Sequence, residues 1–197
     1  MTSRRTSKDF ARLPGVTFLI ILFLLMVGAG CVPPAEGVDP LSEPTDNWEF
    51  EDLDRPPLDA RIAQVVEATN RARARAQDCG VHGPMEAVGP VEADEALEMA
   101  ATAHAHDLAA MGALSHTGSD GSDFVERAER AGFEGQPVGE NIAATFRLGE
   151  ALVRGWIDSD DHCRVLMNPD ARFIGVGLFD AEPGARFSTY WVQVFGY

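Results

Sequence analysis

The sequence predicts an α+β domain in which helices pack on an antiparallel sheet. Three observations lead there. Apolar residues recur at helical spacing in segments between residues 58 and 158, the last quarter turns to β-forming runs, and Pro183-Gly184 marks a turn between two of those runs. At 197 residues the chain has room for one such domain plus a leader and a linker.

The leader comes first. Arg4, Arg5, Lys8 and Arg12 form a basic start, the apolar run Val16 to Val27 follows, and Gly28-Ala29-Gly30 leads to Cys31. This order describes a secretory signal over residues 1–30, and the run is shorter than the roughly 20 residues a membrane span needs. Cys31 after three small residues resembles the bacterial lipobox, in which the cysteine is lipidated and becomes the mature N-terminus; Gly28 departs from it, standing where a larger aliphatic residue is usual. The expectation is an exported protein held on the cell envelope through a lipid on Cys31, with plain secretion as the alternative. A lipidated Cys31 also accounts for an odd cysteine count.

Residues 31–57 read as an acidic, Pro-rich tether. Pro33, Pro34, Pro40, Pro44, Pro56 and Pro57 punctuate it, and its apolar residues keep no sustained period. Trp48 and Phe50 either dock on the domain or stand as hydrophobes in the linker. The leader carries four of the 16 basic residues and one of the 31 acidic ones, so the remaining chain has a formal charge of −18. Such a surface repels phosphate backbones, which argues against nucleic acid as a partner. Nothing in the sequence demands more than a monomer.

Within residues 58–197, Leu58, Ile62, Val65, Val66 and Thr69 predict a first helix ending near Cys79-Gly80. A second runs from about Asp94, a capping residue, to Met111, with Gly112 as its stop. Ser122 or Asp123 caps a third through Ala131, and residues 149–158 form a fourth around Leu152, Val153 and Trp156. Ile174, Val176 and Leu178 alternate with small residues, and residues 189–195 are rich in β-formers, which predicts a hairpin; residues 140–145 supply a further strand. His104 falls on the apolar stripe of the second helix and is read as a core histidine.

Several short motifs then accumulate in order. Leu114-Ser115-His116-Thr117 is followed by Gly139-Glu140-Asn141-Ile142-Ala143, by Trp156 through His162, by Asn168-Pro169, by Ile174-Gly175-Val176-Gly177, and by Tyr190 through Gly196. Asn70-Arg71 and Ala103-His104-Ala105 add to the series. The chain from about residue 58 to 197 resembles the CAP superfamily of cysteine-rich secretory, antigen 5 and pathogenesis-related proteins, in its compact bacterial branch. The resemblance implies an α-β-α sandwich with a central antiparallel sheet. It also implies a cleft whose matching positions here are His116, Glu140 and His162. Tyr190 stands where eukaryotic relatives carry another histidine, and Asp158, Asp160 and Asp161 stand near the place of a second glutamate.

Two imidazoles and a carboxylate suit zinc or another divalent metal, with Tyr190 or water in a fourth position. The same groups without metal make a hydrogen-bonded network, and a catalytic His/Glu pair is the third reading. The leading functional expectation is a non-enzymatic envelope module whose cleft takes a divalent metal, a small or apolar ligand, or an envelope partner. The alternatives are a metal-dependent hydrolase of peptides or envelope polymer, and a structural or adhesive spacer. No Gly-x-Ser-x-Gly elbow is present. In an oxidising compartment Cys79 and Cys163 are expected to form a disulfide, with free buried thiols or a Cys163 nucleophile as alternatives.

Overall fold

The computed structural model of the chain describes residues 56–197. The export signal, Cys31 and all of the tether except its last two residues lie outside the described residues, as do Trp48 and Phe50.

Helix α1 (Leu58–Arg73) starts where the apolar period starts, but it stops before Cys79-Gly80. The Gln77 side chain turns back to donate to the Ala72 carbonyl, ending the helix. The chain then forms a small antiparallel ladder of β1 (Gln77–Asp78) and β2 (Pro84–Met85). Arg73, fully buried at the helix end, donates to the carbonyls of Gly89, Leu166, Asn168 and Ala171. One cation thereby ties four loop carbonyls to α1.

After the two-residue strand β3 (Glu92–Ala93), helix α2 (Glu95–Met111) follows the predicted limits. Asp94 accepts from the Leu97 amide as its N-cap, and Gly112 takes a left-handed conformation at its end. Helix α3 (Phe124–Arg130) carries a full capping box, with Asp123 bonded to the Glu126 amide and Glu126 bonded back to the Asp123 amide. Strand β4 (Pro137–Ala144), helix α4 (Gly149–Ile157), helix α5 (Asp160–Leu166), strand β5 (Phe173–Asp180) and strand β6 (Thr189–Gly196) complete the domain. The sequence reading missed α5, which is seven residues long; two turns of helix leave little period to detect.

The sheet order is β3-β5-β6-β4. The three long strands are antiparallel, with Glu140 opposite Val194 and Leu178 opposite Trp191, and β3 adds a short parallel edge. Every residue of β6 is buried, because both faces of the sheet are covered. On one face Trp191, Phe195, Ile174, Val176 and Leu178 pack with Val65, Leu152, Trp156 and Leu166 of α1, α4 and α5. On the other, Tyr190, Val192 and Val194 pack with Leu97, Ala101, Ala105 and Leu108 of α2 and Ala128 of α3. Complete burial of each large apolar side chain contributes about 1.5–3 kcal/mol. The result is the expected three-layer sandwich.

The small residues alternating in β5 have a packing reason. A Cβ on Gly175 would overlap the backbone at Leu97–Glu98, and one on Gly177 the backbone at Ala101–Thr102. Two side chains are absent so that α2 can lie directly on the sheet. This close seat fixes the loop leaving α2, which carries His116.

Candidate functional site

Glu140 is the centre of the site. It sits on edge strand β4 and its side chain is only 1% exposed. The neighbouring residues Asn141 and Ala143 point to the opposite face, so strand alternation turns Glu140 towards α3 and the loop after α2. One oxygen, Oε1, meets His116 Nδ1 at 2.8 Å, and the other, Oε2, accepts from Arg127 Nη2 at 2.7 Å. Arg127 is itself buried and also donates to the carbonyls of Ser122 and His116. The carboxylate is thus paired and hydrogen-bonded, the condition for keeping a charge inside a protein.

A carboxylate held by a guanidinium can only accept, so His116 Nδ1 carries the hydrogen, and in the neutral ring Nε2 bears the lone pair. The His116 side chain is 57% exposed, anchored at one ring nitrogen and open at the other. A cavity of about 500 Å³ opens beside it, with Phe124, Val138, Glu140 and Arg164 among its walls.

His162 approaches from the other side of β4, on α5. Its Nδ1 lies 2.9 Å from Ser159 Oγ, and Asn141 Nδ2 donates to its carbonyl at 3.3 Å. Ser159 is the N-cap residue of α5, yet its hydroxyl makes no capping bond and serves the imidazole instead. Asn141 continues a buried chain through Gln193 Oε1, and Gln193 Nε2 reaches Thr69 Oγ1 on α1. This chain links α1, β6, β4 and the backbone of His162 through the apolar layer. The disulfide Cys79–Cys163, with Cα atoms 5.3 Å apart, holds the adjoining residue of α5 against the loop after α1. The bridge is the one expected from the cysteine count and compartment.

The structure does not bring all the predicted residues together. Tyr190 is fully buried in the α2-side core, against the Phe187 ring. It pairs with Ala144, four residues along β4 from Glu140, or about 13 Å at the rise of a strand. Tyr190 therefore belongs to the packing layer and not to the cleft. Among the described residues no group of three or more His, Cys, Asp and Glu side chains is placed to hold a metal ion. Both Glu140 oxygens are already engaged, one by His116 and the other by Arg127. Sequence reasoning missed Arg127; the signal was the capping box at Asp123 and Glu126, which turns Arg127 and Ala128 inwards. His104 is buried as expected, with Nε2 bonded to the Ser115 carbonyl.

Burial holds the pKa of His162 below the ordinary histidine value, and the nearby His116 adds to the effect while Asp161 opposes it. Burial lowers His104 in the same direction. A histidine depressed in the folded state binds fewer protons folded than unfolded. Its stability contribution is therefore complete above the ordinary value of 6.5 and is lost as the pH falls through the lower folded values. The urea midpoint is expected to drop between about pH 7 and about pH 5. A midpoint that stayed flat, or rose, across that interval would contradict this assignment.

Comparison with known proteins agrees with the fold. The sequence matches the Cysteine-rich secretory protein family (CAP) over residues 66–195. The uncharacterized membrane protein YlbC of Bacillus subtilis (strain 168) is 30% identical over 128 residues, covering 65% of this chain and 34% of that protein. YkwD of the same organism is 26% identical over 132 residues, covering 67% and 45%. The chain thus spans about a third to a half of the length of these relatives. An extracellular protein containing an SCP domain from Bacillus anthracis str. Ames superposes with a TM-score of 0.57 at 25% identity, covering 70% of this chain and 40% of that one. An outer surface protein from Borrelia burgdorferi, at 18% identity, shares the fold with a TM-score of 0.58 over 72% of this chain and 96% of its own. With the family's match running from α1 into β6 and the same three-layer fold in its structural neighbours, the chain belongs to the CAP family of cysteine-rich secretory proteins.

Proposed function

We propose that this protein is an exported, lipid-anchored and non-enzymatic binding module of the cell envelope, whose cleft takes one divalent metal ion such as zinc through His116 and His162. Export and anchoring are supported by the signal-like leader ending at Cys31, and by the membrane, extracellular and outer-surface descriptions of its relatives. The observation that carries the metal reading is the Glu140–His116 hydrogen bond. A carboxylate on Nδ1 is the usual outer partner of a metal-binding imidazole, because it fixes the tautomer and leaves Nε2 as the donor. Ser159 Oγ, 2.9 Å from His162 Nδ1, can accept from that nitrogen, and in that tautomer His162 Nε2 is the donor atom. In this reading Glu140 orients a ligand and does not bind the ion.

Two imidazoles fit a late first-row divalent ion and make a weak site, with positions left for water or for a donor atom of a bound molecule. Such an ion supplies Lewis acidity and a docking point for a carboxylate or carbonyl; the chain's own residues orient the imidazoles and shape the adjoining cavity. Isothermal titration of the full chain with zinc is expected to give one site at neutral pH. The His116→Ala/His162→Ala chain is expected to lose it, and Glu140→Gln to weaken it by about 10–100-fold. Stoichiometric zinc binding unchanged in the double variant would refute this assignment, as would no binding in the parent protein.

A further inference from the structure

The cavity of about 500 Å³ beside His116 has a cation on its wall that the metal site does not use. Glu140 borders the cavity, but its side chain is 1% exposed and both oxygens are engaged, one by His116 and the other by Arg127. The charges of Glu140 and Arg127 thus balance each other. Arg164, on α5, is different. It is exposed, and among the described residues it has no hydrogen bond or ion pair. Asp161, one turn back on α5, is hydrogen-bonded to His82 at 2.8 Å instead. In a chain of net charge −15, this cavity is lined by an open guanidinium.

A second donor borders the same space. Asn168 Oδ1 accepts from the Asp170 amide at 2.9 Å, and this fixes the side-chain amide with its Nδ2 hydrogens unpartnered among the described residues. The rest of the wall is largely apolar, with Phe124, Val138 and Val165. A guanidinium presents paired N–H groups that match a carboxylate, and a single cation balances a single negative charge. The apolar wall calls for an apolar body on that carboxylate. Arg164 also borders a neighbouring cavity of about 430 Å³, but that one holds Glu86 and His82. An apolar body attached to a carboxylate on Arg164 therefore finds its cover on the His116 side.

We propose that this cavity binds a small monocarboxylate with an apolar body, its carboxylate on the Arg164 guanidinium and the Asn168 amide, its body on Phe124, Val138 and Val165. The C-terminal residue of a peptide and a free branched acid share this chemistry. A phosphate dianion fits less well, because one guanidinium leaves half of its charge unbalanced in an acidic chain. No contact in this arrangement uses a ring nitrogen of His116 or His162. The site therefore goes beyond the metal reading and does not rest on it.

The test is a calorimetric titration of the full chain, freed of metal by chelation and dialysis, at neutral pH and constant ionic strength. The probes are isocaproate and N-acetyl-leucine, which carry the same branched body without and with a peptide-like amide. Saturable binding with a Kd of about 1 mM is expected for ligands this small. Tighter binding of N-acetyl-leucine assigns the site to a peptide end, and tighter binding of isocaproate to a free acid. Isocaproamide, with the body but no charge, and acetate, with the charge but little body, should each bind at least about tenfold more weakly than isocaproate. Arg164→Gln should weaken isocaproate by a similar factor, and Arg164→Lys, which keeps the charge without the fork, should recover part of the loss. Should the variants fail to fold, the ligand comparison on the unsubstituted chain decides alone. Absence of saturation, equal binding of isocaproamide or acetate, or an unchanged Kd in folded Arg164→Gln would overturn the proposal. Zinc binding at His116 and His162 is titrated separately, so failure here leaves the metal assignment standing or falling by itself.

Discussion

Glu140→Ala is expected to destabilise the domain by about 3–5 kcal/mol, and so to lower its Tm by roughly 10 °C. The reason is Arg127. Its side chain is 8% exposed, its Nη2 lies 2.7 Å from Glu140 Oε2, and a guanidinium cannot shed its proton to escape burial. Removing the carboxylate strands that charge between α3 and β4 and also frees the His116 ring. Removing both charges has a different outcome. A Glu140→Leu/Arg127→Met chain should recover most of the loss, because a buried ion pair replaced by apolar groups of similar volume is often neutral in stability. Urea denaturation of Glu140→Leu, Arg127→Met and the double variant measures the difference as a cycle. Additive losses in the double variant would show that the pair is not the unit holding α3 to the sheet.

The second large effect is expected at Cys79–Cys163. The two residues are 84 apart in sequence and fully buried. Closing a loop of that length restricts the unfolded chain by about 4–5 kcal/mol in the chain-entropy model. A Cys79→Ala/Cys163→Ala chain should lose about that much stability, and reduction of the parent protein in denaturant should produce the same shift. The bridge acts on the site as well. It anchors the start of α5, and with Asn141 on the His162 carbonyl it limits how far that histidine can move. A loss below about 1 kcal/mol would mean that the reduced unfolded chain keeps these segments together without the bond.

Much of the fold was legible because its signals are local. Asp94 and Gly112 bracket α2, and Asp123 with Glu126 starts α3, since capping depends on residues within one turn. The alternation of Ile174, Val176 and Leu178 with small residues marked β5 as a strand, and the motif series marked His116, Glu140 and His162. The end of α1 was misplaced because it is set by Gln77 folding back and by Arg73 reaching carbonyls about 100 residues downstream. The Arg73 contacts have no local signature.

The site divides in the same way. Residue types and motif order were enough to mark the groups that can do chemistry: the two histidines, the glutamate, and the cysteine pair in an export context. What each group does follows from its neighbours in space. Packing engaged both oxygens of Glu140, with Arg127 and His116, and it withdrew Tyr190 into the core. It also buried His104 with one nitrogen satisfied and the other bare. Donor chemistry and helix ends can be read from the chain because they depend on residues close in sequence. Charge pairing and burial depend on which distant surfaces meet, and here they were set by the close seat of α2 on Gly175 and Gly177 and by α3 folding back onto β4.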